Sequence, residues 1–143
     1  MRDYEAKHVI NGSHGEAWVD NEYVAEIIGL QAEIEIEFGD VNKARRLAKH
    51  KKLIGFEGTG AIKMNKVSSK FSKMVLDNLR KGKQTQVKLI SNLDDPDAFG
   101  AERVAIYDAV LEKANLINWE AKELGEEEIP ISFTDAEFLE SID

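Results

Sequence analysis

The chain has no cysteine, and only 2 prolines among its 143 residues. The first absence excludes disulfides, thiolate metal sites and nucleophilic cysteine chemistry. The second, together with 43% hydrophobic residues, predicts a folded soluble domain and not a disordered tail. No apolar run exceeds a few residues, so no helical membrane span and no membrane anchor are expected. The opening residues Met1–His8 lack the apolar stretch of a secretory signal. No internal repeat of solenoid length is visible. At this length a single domain over 1–143 buries enough surface for a core without staples.

Charge is plentiful and unevenly placed. The chain carries 19 Lys+Arg against 27 Asp+Glu, a formal net charge of −8. Residues 43–88 hold 14 of the cations and 2 of the acids, so the remainder holds 5 and 25. The densest cationic stretch is Lys43-Ala-Arg45-Arg46-Leu47-Ala-Lys49-His50-Lys51-Lys52. Such a partition suits a protein that meets a copy of itself, basic surface to acidic surface.

Periodicity predicts a mainly β protein, an antiparallel barrel or sandwich with one flanking helix and a long inter-strand loop. Residues 15–28 look like a hairpin turning at Asp20-Asn21. In 30–38, Leu30, Ala32, Ile34, Ile36 and Phe38 alternate with Gln31, Glu33, Glu35 and Glu37. The first set is expected to face the core, and the second forms a row of carboxylates. Residues 39–53 have no clean period and are expected to be a long basic loop, of the kind that is usually functional. A strand at 55–65 follows, then a helix over 68–81 capped by Ser68-Ser69 and ended by Gly82, with Phe71, Met74, Val75 and Leu79 on its inner stripe. Lys70, Lys73, Arg80 and Lys81 lie on its outer side. Further strands are expected at 84–91, 103–111, 117–124 and 127–134, with a turn-rich connection at 92–100. Pro130 places its strand at an edge or beside a break in pairing.

Catalytic chemistry finds little to rest on. Gly55-x-x-Gly58-x-Gly60 shares only its glycines with a phosphate loop, since no Lys-Ser/Thr and no helix follow; close packing or strand twist explains it better. Asp95-Pro96-Asp97-x-x-Gly100 hints at a calcium loop, but Ile106 stands where the bidentate Glu belongs, which leaves an Asp-Pro turn. His8, His14 and His50 share no face with carboxylates at ligand spacing. No nucleophile elbow supports a triad, and acids this numerous make any single carboxylate pair uninformative. No enzyme activity and no cofactor are therefore expected. The basic loop 43–52 with helix 68–81 could form a nucleic-acid footprint on a β-barrel, with steep salt dependence. The loop has no aromatic residue for base stacking, however. It also holds apolar Leu47 and is flanked by Val41, Leu53 and Ile54, which suggests that it docks somewhere.

A series of short motifs resembles a known family. They are Asn11-Gly12-x-x-Gly15-x-x-Trp18-x-Asp20, Val24-Ala25-Glu26, Gly58-Thr59-Gly60 and Lys66-Val67-Ser68-Ser69-Lys70-Phe71, then Leu93-Asp94-Asp95-Pro96-x-Ala98-x-Gly100-Ala101-Glu102-Arg103-Val104 and Glu127-Glu128-x-Pro130-x-Ser132-Phe133-Thr134. Their order and spacing resemble the tail tube proteins of contractile-tailed phages, defective prophages and contractile bacteriocins. The resemblance spans nearly the whole chain. It implies a β-barrel-like subunit assembling as hexameric rings, stacked head to tail into a hollow tube inside a contractile sheath. Long hairpins would form the inner barrel, and the loop between their strands would reach neighbouring subunits and the next ring. The implied partners are other copies of the chain, the sheath and tape-measure proteins, the baseplate and the tail terminator. DNA would pass through the lumen without specific binding, or the tube would serve as a piercing needle. The implied location is the virion tail, assembled in the host bacterial cytoplasm. On this reading Lys43, Arg45, Arg46, Leu47, Lys49, Lys51 and Lys52 make contacts between subunits or rings. Glu33, Glu35 and Glu37, with Glu126 and Glu128, line a bore that repels phosphate. The loop is more basic than the family pattern suggests, so its contacts can differ from the usual ones.

Overall fold

A computed structural model of the protein describes residues 2–143. Strands β1 (Gly15–Val19) and β2 (Glu22–Tyr23) form the first hairpin. Asp20 and Asn21 close it at φ 51° and 67°, the left-handed pair that matches the twist of the flanking strands. The second arm is shorter than expected, because the chain leaves β2 after two residues. It then runs into β3 (Ile27–Val41), which β4 (His50–Asn65) pairs along its length. Helix α1 (Lys70–Arg80) follows, then β5 (Gln86–Leu93), β6 (Glu102–Leu111), β7 (Glu126–Phe133) and β8 (Asp135–Glu140).

All eight strands join one antiparallel sheet in the order β2-β1-β5-β6-β7-β4-β3, with β8 paired to β6. The class is mainly β and sandwich-like, as the sequence predicts. The sheet does not close into a barrel, since β3 ends the order as a free edge. Ile62, Leu89 and Ile131 are fully buried, among Val87, Ile106, Leu111, Ile129 and Phe133. Each such side chain contributes about 1.5–3 kcal/mol by leaving water. From α1, Phe71 enters this core, and Met74 and Val75 pack against it.

Several expectations need correction. The helix is shorter than 68–81, and its start is capped weakly: Lys70 N donates to Ser68 Oγ at 3.5 Å, while the Ser69 side chain caps nothing. Leu79, expected on the inner stripe, is exposed. Asn78 takes the inner side and donates from Nδ2 to Thr85 Oγ1 at 2.9 Å. Gly82, at φ 71°, ends the helix as expected. The strand expected at 117–124 is irregular, with a turn at Ala121-Lys122 and Lys122 at φ 69°. It has no pairing partner among the described residues, because the flanking β6 and β7 pair with β5, β8, β4 and each other. Strand β8 is unexpected; after Thr134 the chain leaves the neighbourhood of β4 and pairs with β6 instead. Pro130 does lie beside a break, since β6 pairs with β7 only at Ile131 and Ser132. The expected loop 39–53 is mostly strand: Phe38 pairs with Leu53, Gly39 with Lys52, Asp40 with Lys51 and Val41 with His50. Only 42–49 connects the two arms.

Candidate functional site

The β3–β4 hairpin is the molecule's most distinctive surface. Near its base Leu30 faces Ile62 and packs against the core. Further out Ala32 faces Gly60, Ile34 faces Gly58, Ile36 faces Phe56 and Phe38 faces Leu53. Directly opposed residues share a face, so this apolar side continues beyond the body that covers its base. There Ile34, Ile36 and Phe38 are each 51% exposed, and Phe56 53%. The alternation thus places these side chains on one face, as expected, but the expectation that all of them are core is corrected. Among the described residues nothing covers them fully. Exposed apolar surface that continues a core face marks an interaction site.

The other face is acidic. Gln31 opposes Ala61, Glu33 opposes Thr59, Glu35 opposes Glu57 and Glu37 opposes Gly55. On β7, Glu128 opposes Lys63 and Glu126 opposes Asn65. Register therefore puts Glu33, Glu35, Glu37, Glu126 and Glu128 on one side of a three-stranded surface. Glu57 belongs with them and escapes sequence reasoning: a regular hairpin closing at Val41 and His50 would set Phe56 opposite Glu35, and only the register shift between Glu37 and Phe38 brings Glu57 there. Two carboxylates directly across a strand pair cost roughly 0.2–1 kcal/mol, which the subunit alone has no reason to bear. Lys63 interrupts the row, 4.0 Å from Glu126.

At the ribbon's tip, Lys43, Arg45, Arg46, Leu47 and Lys49 lie in the 42–49 connection, where Arg45 adopts φ 64°. Lys51 and Lys52 are in β4, with Lys51 Nζ 5.7 Å from the centre of the Phe38 ring. The tip and the basic helix α1 sit at opposite ends of β4, so they form no joint patch of the kind a nucleic-acid footprint would use. On the helix, Lys70 is committed to Glu22 at 2.7 Å.

A second polar cluster surrounds Asp95. Asp95 is buried, accepting from Asp97 N at Oδ1 and from Asn11 N at Oδ2, both at 3.0 Å. The hydrogen bond from Asp97 N, then that from Asn11 N and the nearby His14, outweigh burial and hold its carboxyl below the usual carboxylate range. The Asp-Pro turn is thus a buried clamp tying the turn at 12–14 to the connection after β5. A lowered folded pKa gives stability that is full above the unfolded value near 3.9 and is lost as pH falls through the folded value. Asp95→Ala should therefore melt below the native chain at pH 7, with the gap narrowing as pH falls below about 4. Melting curves across that range check it, and a gap independent of pH would contradict the clamp.

Residues 2–140 match the phage tail tube protein family. The chain belongs to that family. The phage-like element PBSX protein XkdM of Bacillus subtilis (strain 168) is 33% identical over 141 residues, spanning 96% of this chain and 95% of its own. Two solved structures share the fold at low identity. The tube-terminating cap of the anti-feeding prophage superposes with a TM-score of 0.74 at 7% identity, over 98% of this chain and 97% of that one. A chain from the sheath–tube complex of an extracellular contractile injection system, in its extended state, gives 0.72 at 8% identity, over 93% of each. As a tail tube family member the protein is a structural component of a virion tail and not an enzyme. Its function lies in surfaces that assemble, which is the kind of surface the ribbon offers.

Proposed function

We propose that this tail tube protein forms hexameric rings that stack head to tail into the inner tube of a contractile tail. The apolar face of the β3–β4 ribbon lies against neighbouring copies and its acidic face lines the bore. The observation that carries this reading is the half-exposed row Ile34, Ile36, Phe38 and Phe56, backed by an equally continuous row of carboxylates. At the ribbon's base the apolar side turns toward the subunit's own core, so the acidic side turns away from it. The free edge of β3 offers unpaired backbone groups over 15 residues. An edge this long is a liability unless another chain pairs with it, and pairing around a ring uses it up. Carboxylates in the bore repel the phosphates of passing DNA, so the polymer moves without sticking.

The partners of such a tube are those of a contractile tail. The tube meets a sheath outside, a tape-measure protein inside, and a baseplate and terminator at its ends, after assembly in the host cytoplasm. The structural neighbours from a sheath–tube complex, a baseplate and a terminator support the sheath, baseplate and terminator among these.

Replacing Glu33, Glu35 and Glu37 together by Gln tests the bore. Retention of a small cationic dye inside assembled tubes should fall roughly tenfold at low salt, with tube morphology unchanged. Normal tubes with unchanged retention would place the row elsewhere.

A further inference from the structure

The irregular segment 112–125 exposes Leu116, Ile117, Trp119 and Leu124, with Trp119 83% exposed. Trp119 and Leu124 are walls of an open cleft of about 450 Å³, with Glu120, Glu123, Glu126 and Lys66 around them. The Lys66 charge is already engaged, because its ammonium donates to buried Glu127 Oε1 at 2.6 Å. The cleft therefore sets two apolar side chains, Trp119 and Leu124, in a mainly polar lining of net acidic charge. The ribbon tip has the inverse composition: a fully exposed Leu47 set among Lys43, Arg45, Arg46 and Lys49.

The two surfaces cannot meet within one subunit. The cleft adjoins the end of β4, where Lys66 N donates to Gly125 O at 2.8 Å, whereas the tip adjoins its beginning at His50. Sixteen residues of strand separate them, about 50 Å at the usual rise per residue. Complementary surfaces at opposite ends of one rigid element make a heterologous contact that propagates along a line and does not close on itself. We propose that the 119–126 cleft is the receptor for the 43–49 tip of a second copy of this chain in the adjacent ring. Leu47 seats between Trp119 and Leu124, and Arg45, Arg46 and Lys49 face Glu120 and Glu123. This rests on the ring stacking proposed above, and it adds the surface that receives the loop. Opposite charge at the two ends also rejects reversed stacking, since tip against tip and cleft against cleft repel.

The absence of cysteine makes the test clean. In the Leu47→Cys, Trp119→Cys double variant, copper–phenanthroline oxidation of assembled tubes should convert most of the protein into a ladder of reducible multimers. Either single variant should give no ladder, because a disulfide needs its two Cα atoms within about 7 Å. In parallel, Arg45→Glu with Arg46→Glu should abolish tubes, and adding Glu120→Arg with Glu123→Arg should restore them. Three results together would overturn the cleft assignment: native-like tubes with no ladder, no charge-swap rescue, and a Trp119→Cys thiol that reacts with a bulky maleimide on the tube's outside. That outcome would leave stacking intact and give the cleft to a sheath-type partner. Failure of the native chain to form rings or tubes under any condition would instead take down the stacking and this contact together.

Discussion

Replacing residues 42–49 by Asn-Gly should leave the subunit folded and abolish tube formation. Val41 and His50 are the last paired residues of the ribbon. A two-residue turn at that point continues the register with the geometry antiparallel hairpins favour. The excised residues are exposed and contribute nothing to the core, so the melting temperature should shift by no more than about 2 °C. What is lost is the tip's cations and Leu47, and with them the proposed contact between rings. Sedimentation and negative-stain images at concentrations where the native chain forms tubes should show only single rings or subunits. If this variant forms normal tubes, the tip has no part in stacking. If it keeps the tubes but loses salt-sensitive binding of single-stranded DNA, the nucleic-acid role of residues 43–52 is favoured instead.

Gly60→Val should damage the fold itself. A side chain added at Gly60 runs into the carbonyl oxygen of Gln31 and comes within 3.0 Å of Ala32 Cα. Both are backbone atoms of the paired strand, so neither can rotate away. Overpacking of this kind costs about 3 kcal/mol, roughly 10 °C in melting temperature for a domain of this size. Because the obstacle is β3, the strain should loosen the ribbon before the body and expose its edge to aggregation. Gly58→Ala meets both the Phe133 ring and the Phe133 carbonyl oxygen at 2.6 Å; the ring can rotate but the carbonyl cannot, so this variant should also destabilise. Gly12→Ala meets nothing within 4 Å and serves as the control. Equal melting temperatures for the Gly60 and Gly12 variants would contradict the close approach.

These glycines show how much the sequence can convey. Their spacing argues against a phosphate loop and for close packing, but only register reveals that the neighbour is Gln31. The alternation in 30–38 places each side chain on the correct face, because a strand's period does not depend on what covers it. It does not show that the cover ends at Leu30, since coverage depends on how far the rest of the sheet extends. The strand character of 39–41 and 50–53 is hidden by charge and by a register shift between Glu37 and Phe38 that breaks the period of two. Residues 117–124 have strand-like composition and no strand to pair with, whereas acidic 135–140 becomes a strand because β6 offers an edge. The Asp95 clamp has a local signal in the Asx turn onto Asp97 N, yet its second bond, to Asn11, bridges 84 residues. The acidic row at 33, 35 and 37 is visible as a pattern; Glu57 joins it only through pairing.

The most direct measurement is a helical reconstruction, by electron cryo-microscopy, of the assembled tube at side-chain resolution. The predicted result is a tube about 100 Å wide built of six-subunit rings, with Glu33, Glu35, Glu37 and Glu57 facing the bore and Ile34, Ile36, Phe38 and Phe56 buried against neighbouring copies. A tube whose ribbons turn the carboxylates outward, or leave those four apolar side chains in solvent, would contradict it.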